Sequence, residues 1–190
     1  METLLRSLVR LIVHQKRRVD TEGPKNVYEL EINIFFDNTF DSKDSNKNED
    51  EKYDDNIHHW KMTNQWVESF CEILRKVLKN YDMENSWKHA QIFPTPYGGR
   101  IVYCIAGTPF NIHLKDANEV MRGKRWSQIM YLYYLFGWKI DQCQMENTIG
   151  IKLEKENSYL LALDGDVDFE AIDFELVLAR MVKDRVPILF

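Results

Sequence analysis

The chain has 190 residues, of which 44% are apolar and 29% are charged, so it is long and apolar enough for one globular domain with its own core. Its formal net charge of −5 argues against a nucleic-acid-binding protein, because such proteins usually carry a basic face. No stretch reaches the roughly 20 apolar residues of a membrane-spanning helix.

Residues 1–26 are predicted to form an amphipathic helix with a basic tail. Five apolar residues recur there at helical spacing: Leu4, Leu5, Leu8, Val9 and Ile12. The tail contains Lys16, Arg17 and Arg18. Such a helix can pack on its own domain or lie on an anionic membrane surface. We favour the first, because surface helices of globular proteins usually turn an apolar stripe to the core.

A strand, an acidic loop and a helix are predicted next. Val27 to Phe36 is rich in residues that favour a strand. Asp37 to Asp55 has almost no apolar residues and is predicted to be a mobile, solvated loop rather than a metal site. Trp60 to Lys79 is predicted to be a helix, since apolar residues recur every three or four positions. His58 and His59 precede it and are interpreted as surface histidines, because no partner lies at helical spacing.

The middle of the chain predicts a rigid turn and then a β-hairpin. Pro94 to Arg100 contains two prolines and two glycines, which are typical turn residues. Glycine allows the backbone to approach a ligand or a neighbouring strand closely, and both interpretations remain open. Ile101 to Ala106 and Phe110 to Leu114 are predicted to be short strands, joined by Gly107-Thr108-Pro109.

The last third predicts alternating helices and strands. Asn118 to Phe136 is predicted to be a buried helix, Ile149 to Leu153 a short strand, Tyr159 to Leu163 a buried strand, and Ala171 to Lys183 a helix. The inner face of the first of these helices is expected to carry Trp126, Ile129, Met130, Tyr133 and Phe136. This alternation is typical of an α/β fold with parallel strand pairing.

An acidic pair follows the predicted strand Tyr159 to Leu163. Asp164 and Asp166 flank a glycine there, and ligands bind at the carboxyl ends of strands in open α/β sheets. Two carboxylates that leave other coordination positions open suit Mg²⁺ or Mn²⁺ bridging to a diphosphate. Asp168 offers a second register, Asp166 with Asp168, which spacing alone leaves open.

Basic residues cluster near the predicted start of the helix that follows Leu114. They are Lys115, Arg122, Lys124 and Arg125. Helix N-termini suit phosphate groups, so this cluster is interpreted either as a phosphate site or as a solvated basic turn. Trp126 falls on the apolar stripe and is predicted to belong to the core.

Four motifs, taken together, resemble the catalytic domain of animal-type chitin synthases, which are processive family 2 glycosyltransferases. They are PTPYGGR at Pro94–Arg100, HLKD at His113–Asp116, KRWSQIMY at Lys124–Tyr131 and LDGDVDF at Leu163–Phe169. Glu31–Asp37 also resembles a segment that precedes these motifs in the family. The resemblance covers about residues 27 to 183.

The resemblance implies a partial GT-A-type (Rossmann-like) nucleotide-sugar-binding domain with a mixed sheet flanked by helices. It implies UDP-N-acetylglucosamine as donor and a growing β-1,4-linked chitin chain as acceptor. Asp164 and Asp166 match the family's Asp-x-Asp motif, which holds Mg²⁺ or Mn²⁺ and the diphosphate. Lys115 matches a lysine of the nucleotide-binding segment, Arg125 lies in a characteristic segment, and Tyr97 falls near the uridine.

The resemblance also implies a complete enzyme at the cytosolic face of the plasma membrane, anchored by segments that this chain does not contain. Residues 27–183 would form a partial glycosyltransferase domain, and residues 184–190 diverge from the family. The family's Glu-Asp general base and its later acceptor motif would lie beyond the end of the chain, so the chain alone is expected to be inactive. Two alternatives remain: a nucleotide-sugar-binding module without turnover, and a small α/β interaction protein without a ligand.

Overall fold

The computed structural model describes residues 1–24, 27–40, 63–137, 158–185 and 188–189. Apart from the first two residues, the chain divides into two compact units. We call Gln15–Arg122 the sheet unit, and Thr3–His14 with Gly123–Phe190 the helical unit. The α/β class is confirmed, with a four-stranded mixed sheet and flanking helices.

The sheet of the sheet unit contains β1 (Ile32–Phe36), β2 (Gln91–Thr95), β3 (Gly98–Ile105) and β4 (Thr108–Lys115), in the order β1-β4-β3-β2. β1 runs parallel to β4, and the two other pairings are antiparallel. All residues of β4 except Pro109 are buried, so both faces of this inner strand are covered. The strand predicted at Val27 to Phe36 is confirmed in its second half, which forms β1.

Two tight hairpins join the antiparallel strands. The predicted hairpin between β3 and β4 is confirmed, but its turn is Ala106 and Gly107 rather than Gly107 to Pro109, because Thr108 and Pro109 belong to β4. Ala106 and Gly107 have φ of 50° and 87°, the left-handed conformation that a two-residue turn requires. The predicted rigid turn is shorter than expected, because Pro94 and Thr95 belong to β2 and only Pro96 and Tyr97 separate β2 from β3.

Gly98 opens β3 at a point where the backbones are closest. Its φ is 129°, and a Cβ atom there would lie 2.5 Å from the carbonyl oxygen of Leu114 and 2.9 Å from the amide nitrogen of Asp116. Among the two interpretations of this glycine, the structure favours close approach to a neighbouring strand.

Helix α2 (Gln65–Lys79) carries the predicted buried face. Val67, Phe70, Leu74, Val77 and Leu78 are buried. The helix starts later than predicted, because the side chain of Asn64 accepts hydrogen bonds from the amides of Trp66 and Val67 and so caps its N-terminus. Phe70 contacts Phe36 of β1 edge to face, with ring centroids 4.8 Å apart.

The helix predicted at Asn118 to Phe136 begins only at Lys124. Asp116 and Asn118 form a turn instead, in which the Asn118 amide donates to the Asp116 carboxylate at 2.8 Å. Helix α3 (Lys124–Ile129) then continues as a π-helix, Met130–Gly137. The predicted inner face is confirmed at Met130, only half-buried at Trp126, and wrong at two other positions.

Those two positions are Ile129, which is 43% exposed, and Tyr133, which is 77% exposed. Tyr133 lies in the π-helix, where each residue turns by a smaller angle than in an α-helix, so a stripe calculated at 3.6 residues per turn does not predict its side.

The strand predicted at Tyr159 to Leu163 is reduced to the two-residue β5 (Leu160–Leu161), which pairs in parallel with β6 (Ile188–Leu189). Leu160 and Leu161 are half-buried and Leu163 is exposed, so the expected buried strand is wrong in length and burial. Helix α4 (Ala171–Asp184) confirms the last predicted helix and begins with a capping box of Glu170 and Asp173.

Helix α1 (Glu2–Glu22) lies at the N-terminus. Its apolar residues Leu5, Leu8, Val9, Leu11 and Ile12 are buried, as expected for packing against protein. Among the described residues, no helix is long and apolar enough to cross a membrane. The predicted loop beyond Phe40, the histidines at positions 58 and 59, and the strand at 149–153 lie outside the described residues.

Candidate functional site

The acidic loop, residues 164–168, leads from β5 towards α4 within the helical unit. The amide of Val167 donates to the carbonyl oxygen of Asp164 at 3.3 Å, which closes a turn around Gly165 and Asp166. Asp164 and Asp166 are both exposed, so their carboxylates are open to a ligand from solvent. The turn brings the two predicted metal ligands onto one short segment of backbone.

Lys124, the first residue of α3, reaches the acidic loop. Its ammonium lies 2.5 Å from Oδ1 of Asp164, and both side chains are mostly exposed. The hydrogen bond to Asp164 raises the pKa of Lys124, so the ammonium stays charged. One of the four basic residues singled out in the sequence therefore contacts the acidic pair.

The donor chemistry of the acidic loop decides which kind of ion it can hold. Within the described residues, no group of three or more histidine, cysteine, aspartate or glutamate side chains is arranged around a common point. Two exposed carboxylates fit an ion that keeps several waters and takes further oxygens from a phosphate, as Mg²⁺ does. They do not form a closed, all-protein cage.

Asp168, the alternative metal ligand, has other partners. Its Oδ1 accepts from the Ser7 hydroxyl at 2.7 Å and from the Arg10 guanidinium at 2.8 Å. These two hydrogen bonds lower the pKa of Asp168. A metal ion bound in the register that pairs Asp166 with Asp168 would therefore compete with Ser7 and Arg10 for Asp168. Ser7 and Arg10 had no sequence signal, because about 160 residues separate them from Asp168.

Lys115 lies at the end of β4 in the sheet unit and is only 1% exposed. Its ammonium forms an ion pair with Asp37, which directly follows β1. The pair forms because β1 and β4 are parallel neighbours, so their carboxyl ends lie at the same edge of the sheet. The backbone amide and hydroxyl of Thr39 both donate to the carbonyl oxygen of Lys115, at 3.1 and 3.0 Å.

Tyr97 lies in the turn before β3 and is 4% exposed. Its hydroxyl donates to Nδ1 of His113 at 2.5 Å, and its carbonyl oxygen accepts from the amide of Asp116. The other ring nitrogen of His113, Nε2, donates to Oδ1 of Asn33 at 2.9 Å. We assign the tautomer from these partners, since a carbonyl oxygen can only accept.

A row of polar side chains continues from His113 along one face of β1 and β4. Asn33 and Asn111 both donate to Oε1 of Glu31, at 3.1 and 3.0 Å. The ring of Phe35 stacks on His113 with centroids 4.4 Å apart. Burial and the nearby Arg100 lower the pKa of His113 to about 3, so the ring is neutral at pH 7.

The sequence contains a signal for this polar row in the spacing of its residues. Polar residues alternate with apolar ones in β1 and its flanks, and again in β4 at Asn111, His113 and Lys115. Alternate residues of a strand share one face. Two neighbouring strands with polar residues at alternate positions therefore predict a polar face between them.

The predicted site residues fall into two groups. Tyr97 and Lys115 belong to the sheet unit, whereas Arg125, Asp164 and Asp166 belong to the helical unit. The side chain of Arg125 is exposed. The binding roles of all five residues stay predictions.

Comparison with known proteins points to one kind of enzyme. The chain is 30% identical to chitin synthase chs-2 of Caenorhabditis elegans over 97% of this chain, and 31% identical to chitin synthase chs-1 of the same nematode over 90%. It is also 30% identical to a chitin synthase of Meloidogyne artiellia over 97% of this chain. No family model and no solved structure matches the chain.

These alignments cover 11%, 12% and 9% of the three relatives, so the chain spans about a tenth of the length of the curated relatives it matches. The resemblance predicted from the motifs is confirmed: over nearly its whole length, the chain corresponds in sequence to one segment of chitin synthases.

Proposed function

We propose that this chain is the donor-binding part of a glycosyltransferase that makes chitin from UDP-N-acetylglucosamine. The observation that carries the proposal is the acidic loop, with two exposed carboxylates on one turn, in a chain similar to chitin synthases. The relatives are named chitin synthases, and their activity is transferred to this chain as part of the proposal.

The acidic loop supplies the chemistry that a nucleotide-sugar donor needs. A Mg²⁺ or Mn²⁺ ion held by Asp166 and Asp164 would offset the negative charge of the departing UDP. Asp164 must then exchange its ion pair with Lys124 for the ion. The cost of that exchange is small, because water screens an exposed ion pair and such pairs contribute little to stability.

Lys115 and Tyr97 require a different argument, because both are buried. For Lys115 to bind the nucleotide, its buried ammonium must be shared between Asp37 and the ligand. The hydroxyl of Tyr97 is engaged by His113, so a contact with the ligand would have to use its ring, which is buried in this structure. Arg125 is exposed, so its guanidinium is open to a phosphate from solvent.

The complete reaction would be an inverting displacement. The 4-hydroxyl of the chitin acceptor attacks the anomeric carbon of the donor while a general base removes its proton. No Glu-Asp pair follows Asp168 in this sequence, so we propose that the base is not supplied by these residues. The chain would then bind the donor without turning it over, and the complete enzyme would work at the cytosolic face of the plasma membrane.

Donor selectivity tests this proposal. UDP-N-acetylglucosamine should bind the purified chain in calorimetric titrations with Mn²⁺, and GDP-mannose should not. Labelled UDP-N-acetylglucosamine with a chitin oligomer should yield no insoluble, chitinase-sensitive product, because losing a general base costs on the order of 10²–10⁴ in rate. Robust polymer would contradict the missing base, and absence of any nucleotide binding would favour a small interaction protein.

A further inference from the structure

The N-terminal helix contacts the acidic loop through a buried hydroxyl. Ser7 of α1 is fully buried. Its Oγ donates to Asp168 Oδ1 at 2.7 Å and accepts from the amide of Phe169 at 3.1 Å and from Arg10 at 2.9 Å. One donor and two acceptor positions are all that a hydroxyl has, so each is used.

Arg10 holds the same point of the loop from the next turn of α1. Its Nη2 lies 2.8 Å from Asp168 Oδ1 and 2.9 Å from the carbonyl oxygen of Phe169, and 3.5 Å from Glu170. Residues three apart on a helix share one face, so Ser7 and Arg10 act together. Both backbone polar groups of Phe169 and one oxygen of Asp168 are thereby held by α1.

This contact fixes the loop close to the predicted metal ligands. Asp166 lies two residues before Asp168, and the turn that carries it is closed by the bond from Val167 to Asp164. On the other side, Glu170 caps α4. On one side of the acidic pair, three consecutive residues are thus held, Asp168 by its side chain and Phe169 and Glu170 by their backbone groups.

We propose that Ser7 and Arg10 are positioning residues, which hold the acidic loop in the conformation that binds the divalent ion. The inference rests on the proposed function of Asp164 and Asp166. Ligands held in place before binding lose less conformational freedom when the ion arrives, so the affinity for the ion is higher. In this account Asp168 serves as the anchor of the loop rather than as a ligand.

Mn²⁺ titration of the full chain, followed by the electron paramagnetic resonance signal of free Mn²⁺, tests the inference. Ser7→Ala and Arg10→Gln should each weaken Mn²⁺ binding about tenfold, the lower end of the range for groups that orient metal ligands. His14→Ala is the matched control, because His14 belongs to the same helix and its Nδ1 lies 3.5 Å from Oε1 of Glu175 in α4, outside the acidic loop. It should leave Mn²⁺ affinity within about twofold of the wild type.

The arms of the experiment separate this inference from the function on which it rests. Unchanged Mn²⁺ affinity in Asp166→Ala would overturn the proposed metal site itself. Loss of binding in Asp166→Ala with wild-type affinity in Ser7→Ala and Arg10→Gln would overturn the positioning role alone. If Ser7→Ala does not fold, as judged by circular dichroism, the half-exposed Arg10 decides the outcome through Arg10→Gln.

Discussion

His113 should make the stability of the sheet unit depend on pH. Its folded-state pKa of about 3 lies below the value of about 6.5 expected in the unfolded chain. Between these two pKa values, His113 is therefore protonated in the unfolded state and neutral in the folded state. The contribution of neutral His113 to stability is fully present above about pH 6.5 and decreases as the pH falls towards 3.

The size of the effect follows from the two pKa values. At pH 5 almost all unfolded chains carry a proton on residue 113 and almost no folded chains do. The free energy of unfolding is therefore about 2 kcal/mol lower at pH 5 than at pH 8. The physical cause is the surroundings of the ring: it is fully buried, stacks on Phe35, and accepts a hydrogen bond from Tyr97 that a protonated ring could not accept.

Urea denaturation of the wild type and of His113→Gln at pH 8 and pH 5 measures this contribution. The variant lacks the titrating ring but keeps the other ionisable groups, so their contributions cancel in the comparison. We expect the stability advantage of the wild type to shrink by about 2 kcal/mol between pH 8 and pH 5. An advantage that stays constant over this range would refute the assignment of a buried, neutral His113.

Two further predictions concern the sheet unit. Gly98→Ala should destabilise the protein by roughly 1–3 kcal/mol, because the added Cβ would meet the Leu114 carbonyl oxygen and the φ of 129° is strained for alanine. Thermal unfolding measures the loss of stability, and an unchanged unfolding midpoint would contradict the close approach of the two backbones. Lys115→Met should weaken UDP binding by roughly 1–3 kcal/mol, as for a hydrogen bond to a charged group. An unchanged dissociation constant in calorimetry would show that Lys115 serves only its ion pair with Asp37.

Local patterns predicted those elements whose cause is local. The hairpin between β3 and β4 follows from the turn residues around Gly107, although its turn begins one residue earlier than predicted, and α4 follows from its periodicity. The acidic pair was visible because both aspartates lie on one short segment. These features need no information from distant residues.

The rest depends on contacts between distant parts of the chain. Ser7 meets Asp168 and Tyr97 meets His113 only because the fold brings them together, and neither pair has a spacing that could reveal it. The π-helix after Ile129 was missed because the apolar sequence there fits several helical periods equally well. The resemblance to chitin synthases identified the candidate site residues but not these supporting contacts.

The most direct test of the central claim is a calorimetric titration of UDP into the purified chain with and without Mn²⁺. We expect binding that requires Mn²⁺ and is lost in Asp166→Ala, because the acidic loop holds the ion that bridges to the diphosphate. Asp20→Ala is the control, because Asp20 is an exposed carboxylate near the end of α1. This variant should bind UDP like the wild type. Equal UDP affinity with and without Mn²⁺, or in Asp166→Ala and the wild type, would contradict the account.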